Sequence, residues 1–153
     1  MSSAVPESSD RPLILLVDDE PAIRLMMSRT LTDRGYDVRT APDGQSAITI
    51  LEGLRTLPSI AITDLEMAGG DGEELARSLA RRYPQVPVIF VTGHLPRYRA
   101  AYLPGPILQK PFKAEQLCEL VGSLLTAATA GRAPEDGVIR RRNRDPSSEA
   151  RFT

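Results

Sequence analysis

The sequence predicts an α/β fold built on a doubly wound, five-stranded parallel sheet with helices on both faces. Short apolar runs alternate along the chain with segments of helical periodicity, which is typical of strands that are buried on both faces. Because crossovers between parallel strands are right-handed, successive helices can cover the two faces of one sheet. With 153 residues, of which 41% are hydrophobic, the chain is long enough for one core of this kind.

The predicted strands are short and end close to turn-forming or charged residues. They cover residues 13–17, 36–40, 59–63, 88–91 and 106–109. Pro21 suits the first turn of the helix after strand one, since that position needs no N–H donor, and Gly35 suits the end of this helix. Asp43 is expected to cap the second helix.

The last two predicted helices differ in their sequence patterns. The final helix carries apolar residues at i, i+3, i+4, i+7 and i+8, which predicts one buried face. These residues are Leu117, Leu120, Val121, Leu124 and Leu125. Between strands four and five, prolines leave room only for residues 97–103. Because two turns of helix are marginal by themselves, the fourth helix is expected to be short or irregular.

Composition predicts one domain, residues 12–127, between two tails. Residues 1–11 and 128–153 hold little that could be buried and are expected to be disordered. A formal net charge of −1 gives no general attraction to nucleic acid or to a membrane, and no apolar stretch is long enough to span a bilayer. The single cysteine, Cys118, suits the reducing cytoplasm. We therefore expect a cytoplasmic protein whose partners are neither nucleic acid nor membrane.

Ionisable residues follow three of the predicted strands. Asp18 and Asp19 come after strand one, Asp64 after strand three and Lys110 after strand five. The carboxyl ends of parallel strands converge on one crevice, where ligands bind. Three carboxylates that face one lysine in such a crevice can hold a hard divalent cation and a transferable phosphoryl group.

Four motifs carry a resemblance to a known family. They are Leu-Val-Asp18-Asp19-Glu, Thr-Asp64-Leu-Glu-Met-Ala-Gly-Gly-Asp-Gly72, Phe-Val-Thr92-Gly-His and Gln-Lys110-Pro-Phe112. With these motifs in this order, residues 12–127 resemble the CheY-like receiver domain of two-component response regulators, and in particular its single-domain type. The resemblance implies a flavodoxin-like strand order of 2-1-3-4-5.

The resemblance also implies a role for each charged residue. Asp64 would accept a phosphoryl group from a histidine kinase or a phosphotransfer protein. Mg²⁺ would be held by Asp19, the side chain of Asp64 and the backbone carbonyl of Glu66, while Asp18 would act mainly through waters on the ion. Lys110 would supply a point charge for a phosphoryl oxygen.

The resemblance further implies how the phosphorylated state is reported and how long it lasts. The hydroxyl of Thr92 would bind another phosphoryl oxygen, and the peptide bond before Pro111 would be cis. The side chain of Glu66 would tune the lifetime of the phosphoryl group. Ile107 stands where receivers often carry an aromatic ring coupled to the switch threonine, so this chain departs from the usual relay.

The functional prediction is a stand-alone response regulator that signals through a downstream protein target. It would be no enzyme, beyond catalysing its own phosphorylation and dephosphorylation. A phosphoryl sink or a phosphorelay intermediate is the alternative within the same class. A phosphohydrolase similar to the haloacid dehalogenases is the alternative from another class. That family requires a second aspartate two residues after its nucleophile on strand one. In this chain, Asp18 and Asp19 are instead followed by Glu20 and Pro21.

Overall fold

Strands and helices alternate along the part of the chain that the structure, a computed structural model, describes: residues 11–67, 71–94, 103 and 105–129. The elements are β1 (Leu13–Val17), α1 (Pro21–Asp33), β2 (Asp37–Ala41), α2 (Gly44–Gly53), β3 (Ile60–Asp64), α3 (Asp71–Arg82), β4 (Val88–Thr92), β5 (Ile107–Gln109) and α4 (Ala114–Thr129). The predicted short helix at 97–103 lies outside the described residues, apart from Leu103, which is buried.

The strands form one parallel sheet in the order β2-β1-β3-β4-β5. The predicted fold class and strand order are therefore confirmed. From β1 the chain moves outward to β2, and it then returns to place β3 on the other side of β1. This reversal opens a crevice at the carboxyl ends of β1 and β3, the place where ligands bind in open α/β sheets.

Alternate residues of each strand enter two separate cores, one on each face of the sheet. Leu15 and Val17 belong to the core that also holds Leu79 of α3. Ile14 and Leu16 point to the opposite face of the sheet and belong to the second core. That second core contains residues of α1 and α4, among them Met27, Leu117 and Val121. The predicted buried stripe of the last helix thus packs against the sheet, and helices cover both faces.

The local signals for helix ends also agree with the structure. Gly35, just past α1, has a φ of +97°, a left-handed conformation that glycine adopts without a steric penalty. Asp43 caps α2 by accepting a hydrogen bond from the backbone N–H of Ser46 at 2.7 Å. At the other end of the domain, α4 runs through Thr129, two residues past the predicted boundary. The predicted tails otherwise lie outside the described residues, except for Arg11.

Three strands, β2, β3 and β4, continue one residue further than predicted, and for β3 and β4 this affects the site. β3 ends on Asp64 and β4 on Thr92. Asp64 is paired in register with Val91, and Thr92 is paired with Gln109. The backbones of Asp64 and Thr92 are therefore held by the sheet, because the ladder of hydrogen bonds reaches both residues.

Gly105, just before β5, packs directly against β4. A Cβ atom at this position would lie 2.0 Å from the carbonyl oxygen of Val88 and 3.2 Å from the ring of Phe90. Since backbone of a central strand cannot move aside easily, Gly105→Ala should lower the free energy of unfolding by about 1–3 kcal/mol. Urea unfolding would measure this change. Gly53→Ala is the matched control, because an added Cβ there meets nothing within 4 Å, and an equal loss in both variants would contradict the packing argument.

Candidate functional site

Charged side chains from three strand ends meet at the carboxyl edge of the sheet. The Nζ atom of Lys110 lies 2.9 Å from Oδ2 of Asp64 and 3.5 Å from Oδ2 of Asp18. Both carboxylates are buried, and Lys110 is partly buried. The structure thus brings together residues that are separated by more than forty positions in the sequence but that lie at the carboxyl ends of three strands of one sheet.

Asp18 is held by its own backbone and by the turn that follows it. Its N–H donates to the carbonyl oxygen of Ala41 at 3.1 Å, and its Oδ1 accepts from the N–H of Glu20 at 2.9 Å. Its Oδ2 is buried and accepts no hydrogen bond from the described residues. The contact of this atom with Lys110 is an ion pair at 3.5 Å rather than a close hydrogen bond.

The environment of Asp18 disfavours its charged form. Burial raises the pKa of the Asp18 carboxyl above its usual value, and the neighbouring charges of Asp64 and Asp19 raise it further. The N–H of Glu20 and the ammonium of Lys110 oppose this rise without cancelling it. Such a buried carboxylate, with one oxygen unsatisfied, is suited to a cation that the protein chain itself does not provide.

Asp64 divides its two carboxylate oxygens between two donors. Oδ1 accepts from the backbone N–H of Glu66 at 2.9 Å, and Oδ2 accepts from Lys110 at 2.9 Å. Its backbone is packed equally closely, because a Cβ on Gly72 would lie 2.4 Å from the carbonyl oxygen of Asp64. Only glycine allows α3 to begin this close to the end of β3. The motif that carries the family resemblance includes this glycine, but its packing role emerged only from the structure.

Lys110 is anchored through its backbone as well as its ammonium. Its N–H donates to the carbonyl oxygen of Thr92 at 2.8 Å, and the peptide bond between Lys110 and Pro111 has the expected cis geometry. Burial alone would lower the pKa of Lys110, but its hydrogen bond with Asp64 and the charges of Asp64 and Asp18 raise that pKa above its usual value. The side chain therefore carries a fixed positive charge at neutral pH.

The acidic residues of the crevice fit a hard divalent cation. Carboxylate oxygens of Asp18, Asp19 and Asp64 all lie within 4.8 Å of one another. Mg²⁺ prefers oxygen ligands and retains several waters, so that a few protein carboxylates are enough. The unsatisfied Oδ2 of Asp18 gives a second, independent reason for this fit.

A second cluster lies next to the crevice and joins the loop after β3 to the end of β4. Oε1 of Glu66 accepts from the N–H of Gly93 at 2.7 Å, and Oε2 is in close contact with Nδ1 of His94. The hydroxyl of Thr92, a buried residue, accepts from the N–H of His94 at 3.0 Å. Burial by itself would raise the pKa of Glu66, but hydrogen bonds with Gly93, His94 and Thr92 hold it below its usual value.

The sequence did not predict this arrangement around the Glu66 side chain. In the structure, the Glu66 carboxylate has its partners in Gly93 and His94, just past the end of β4. Ile107, the residue at the atypical position, is the first residue of β5, pairs with Phe90 and packs partly buried against the core on that face. At the position where the family resemblance leads one to expect an aromatic ring, this chain therefore has an aliphatic side chain packed against the core.

Comparisons with known proteins agree with this geometry. The profile of the response regulator receiver domain matches residues 14–122. Over 116 residues the chain is 37% identical to the sensor kinase CckA of Brucella abortus (strain 2308), and the match covers 73% of this chain and 12% of the kinase. The chain spans only 12% of the length of this kinase and 30% of the length of the DNA-binding transcriptional regulator NtrC of Klebsiella pneumoniae, to which it is also similar.

Solved structures show the same fold. A response regulator receiver protein from Sinorhizobium medicae WSM419 superposes with a TM-score of 0.69 at 32% identity, covering 77% of this chain and 97% of that one. The response regulator protein TrrA from Thermotoga maritima, in complex with Mg²⁺ and BeF, gives a TM-score of 0.65 at 30% identity, covering 74% of this chain and 98% of the other.

Within the described residues, no helix is both long and apolar enough to cross a membrane. From its fold, its acidic crevice and these matches, the chain belongs to the response regulator receiver domain family of two-component systems.

Proposed function

We propose that this chain is a phosphorylatable signalling switch in which Asp64 accepts a phosphoryl group from a histidine kinase or a phosphotransfer protein. The observation that carries the proposal is the position of the Lys110 ammonium, 2.9 Å from the Asp64 carboxylate and beside the acidic cluster of Asp18 and Asp19. In the reaction, an Asp64 oxygen forms a bond to phosphorus while the bond from phosphorus to the donor nitrogen breaks. The product is an acyl phosphate on Asp64.

The residues of the crevice have separate tasks in this reaction. Asp18, Asp19, Asp64 and the backbone carbonyl of Glu66 would hold Mg²⁺. When bound, this ion supplies positive charge that offsets the repulsion between the anionic carboxylate and the anionic phosphoryl group. Lys110 binds a phosphoryl oxygen and holds it near Asp64. The Thr92 hydroxyl hydrogen-bonds a further oxygen of the attached group and leaves its resting contacts beside Glu66 and His94.

The proposed function is tested by incubating the purified chain with a small acyl-phosphate donor, with and without Mg²⁺. We expect the mass of one phosphoryl group to be added in the presence of Mg²⁺ and almost none when the metal is chelated. The new bond should be cleaved by hydroxylamine, as an acyl phosphate is. Labelling that does not depend on the metal, or that resists hydroxylamine, would contradict the proposal.

The stand-alone character of the regulator is part of the same proposal. A switch of this kind acts through contacts that its receiver surface makes with a downstream protein. The native protein, detected by an antibody in extracts of the source organism, should then have the mass of this 153-residue chain. A much larger native protein would show that an output or kinase domain is attached.

Glu66 is expected to set the lifetime of the phosphoryl group. Its carboxylate lies beside the crevice, where its negative charge and its length hinder the approach of water to the phosphorus atom on Asp64. In that step the water oxygen bonds to phosphorus, the bond from phosphorus to the Asp64 oxygen breaks, and phosphate leaves. Glu66→Asn removes both hindrances and should speed loss of the phosphoryl group about three- to tenfold, while Mg²⁺ binding changes little because the backbone carbonyl remains. The decay of labelled protein measures this rate.

Two further variants separate charge from shape in this experiment. Glu66→Gln keeps the length of the side chain and removes only its charge, so its effect isolates the electrostatic contribution. Glu74→Gln removes an exposed carboxylate on α3 and should leave the lifetime unchanged. Equal lifetimes for the wild type and Glu66→Asn would show that only the backbone carbonyl of Glu66 contributes.

A further inference from the structure

The side chain of Arg24 reaches back from α1 to the end of β1. Its Nη1 atom donates a hydrogen bond to the backbone carbonyl oxygen of Asp18 at 2.7 Å. Arg24 is partly buried, and so is this hydrogen bond. None of the roles described above requires an arginine at this position, yet its guanidinium is the group that holds the backbone where the acidic residues begin.

Arg24 completes a set of hydrogen bonds that fixes Asp18 on three sides. The N–H of Asp18 is held by Ala41, its Oδ1 by Glu20 and its carbonyl oxygen by Arg24. Only Oδ2 is left without a hydrogen bond from the described residues, and this oxygen belongs to the acidic cluster. The three contacts therefore leave that oxygen available to a ligand.

The carbonyl that Arg24 holds also determines where Asp19 lies. The carbonyl of Asp18 and the nitrogen of Asp19 share one planar peptide unit, which ends at the Cα atom of Asp19. Asp19 belongs to the acidic cluster with Asp18 and Asp64, so the direction in which its side chain leaves the backbone matters for a bound cation. Fixing this peptide plane fixes the point and direction from which the Asp19 side chain extends towards Asp18 and Asp64.

We propose that Arg24 is a positioning residue for the cation site, which it serves by orienting the peptide unit between Asp18 and Asp19. The inference rests on the proposed function, since it concerns the same acidic cluster. The geometry also separates this role from a purely electrostatic one. If Arg24 acted only as a nearby positive charge, it would repel Mg²⁺, and removing it would strengthen Mg²⁺ binding. If Arg24 anchors the carbonyl of Asp18, removing it should weaken Mg²⁺ binding.

The test is a titration of the full chain with Mg²⁺ alone. Calorimetry measures the affinity, and backbone amide spectra report which residues respond. We expect Arg24→Gln to weaken Mg²⁺ binding about tenfold, the size of effect seen when groups that orient metal ligands are removed. Arg24→Lys keeps a donor and the charge on a shorter side chain and should restore part of the affinity. Arg29→Gln removes an exposed arginine from the same helix and should leave the affinity unchanged.

The amide spectra recorded without metal provide a readout that a general loss of stability would not reproduce. In Arg24→Gln, the resonances of Asp19 and Glu20 should shift while those of strands far from the site stay in place. Should Arg24→Gln fail to fold, the comparison of Arg24→Lys with the wild type carries the same test. Unchanged or tighter Mg²⁺ binding in folded Arg24 variants would overturn the positioning role.

These outcomes distinguish the inference from the function on which it rests. A wild-type chain that binds Mg²⁺ but accepts no phosphoryl group defeats the proposed function and leaves the role of Arg24 standing. A wild-type chain that is phosphorylated, with Arg24→Gln binding Mg²⁺ equally well, defeats the role of Arg24 alone. A wild-type chain that binds no Mg²⁺ defeats both.

Discussion

The Asp64→Asn variant is expected to lose all labelling by an acyl-phosphate donor while it remains folded. Asparagine has the shape of aspartate, and its side-chain oxygen can still accept the hydrogen bond that Oδ1 receives from the N–H of Glu66. What it lacks is the anionic oxygen beside Lys110, which is the nucleophile in the proposed reaction. Because Asp64 is the carboxylate that the Lys110 ammonium contacts at 2.9 Å, against 3.5 Å for Asp18, we expect the loss to be complete. Mass spectrometry of the intact protein would measure it.

Asp43→Asn is the matched control for this experiment. Asp43 caps α2 through its side chain, and asparagine caps helices about as well as aspartate. This variant should therefore be labelled like the wild type. Full labelling of Asp64→Asn would instead place the phosphoryl group on a different residue, and peptide mapping of the labelled protein would identify it.

Most of the fold could be predicted because its signals are local or periodic. The apolar runs that became β1 and β4 are buried almost along their whole length. The apolar stripe of α4 packs against the core as its spacing predicted, with Leu117 and Val121 buried and the other members partly buried. Asp43 and Gly35 act within a few residues of their own position, which is why their capping and turn roles could be inferred. Several predicted strand ends differ from the observed ends by one residue. The last hydrogen bonds of a strand depend on the neighbouring strand, which the local sequence does not reveal.

The charged residues of the crevice could be predicted from topology combined with the motifs. Once strands are assigned to a parallel sheet, Asp18, Asp64 and Lys110 must lie along the same edge. The contacts of Arg24 and Glu66 could not be inferred in this way. Each is a long side chain whose partner is a backbone group on another segment, Asp18 for one and Gly93 for the other. The direction of such a side chain depends on tertiary packing, which spacing along the chain does not encode.

Asp18→Asn is expected to change stability and cation binding in opposite directions. In the metal-free protein, the Asp18 carboxylate is buried near two other carboxylates, and one of its oxygens accepts no hydrogen bond from the described residues. Asparagine removes this charge and keeps the oxygen that accepts from Glu20. We expect the free energy of unfolding without metal to rise by about 1 kcal/mol, as happens when a strained functional group is replaced.

The same substitution should weaken Mg²⁺ binding by at least about tenfold, because it removes a negative charge from the site that would hold the ion. Urea unfolding in the presence of a chelator and a separate Mg²⁺ titration measure the two effects. Asp37→Asn, which alters an exposed carboxylate 3.8 Å from Arg39, should leave both quantities nearly unchanged. A metal-free Asp18→Asn protein that is less stable than the wild type would mean that Lys110 compensates the buried charge fully. In that case the acidic cluster would stabilise the metal-free fold. It would not be a cluster that lowers the stability of that fold and is retained because it binds a cation.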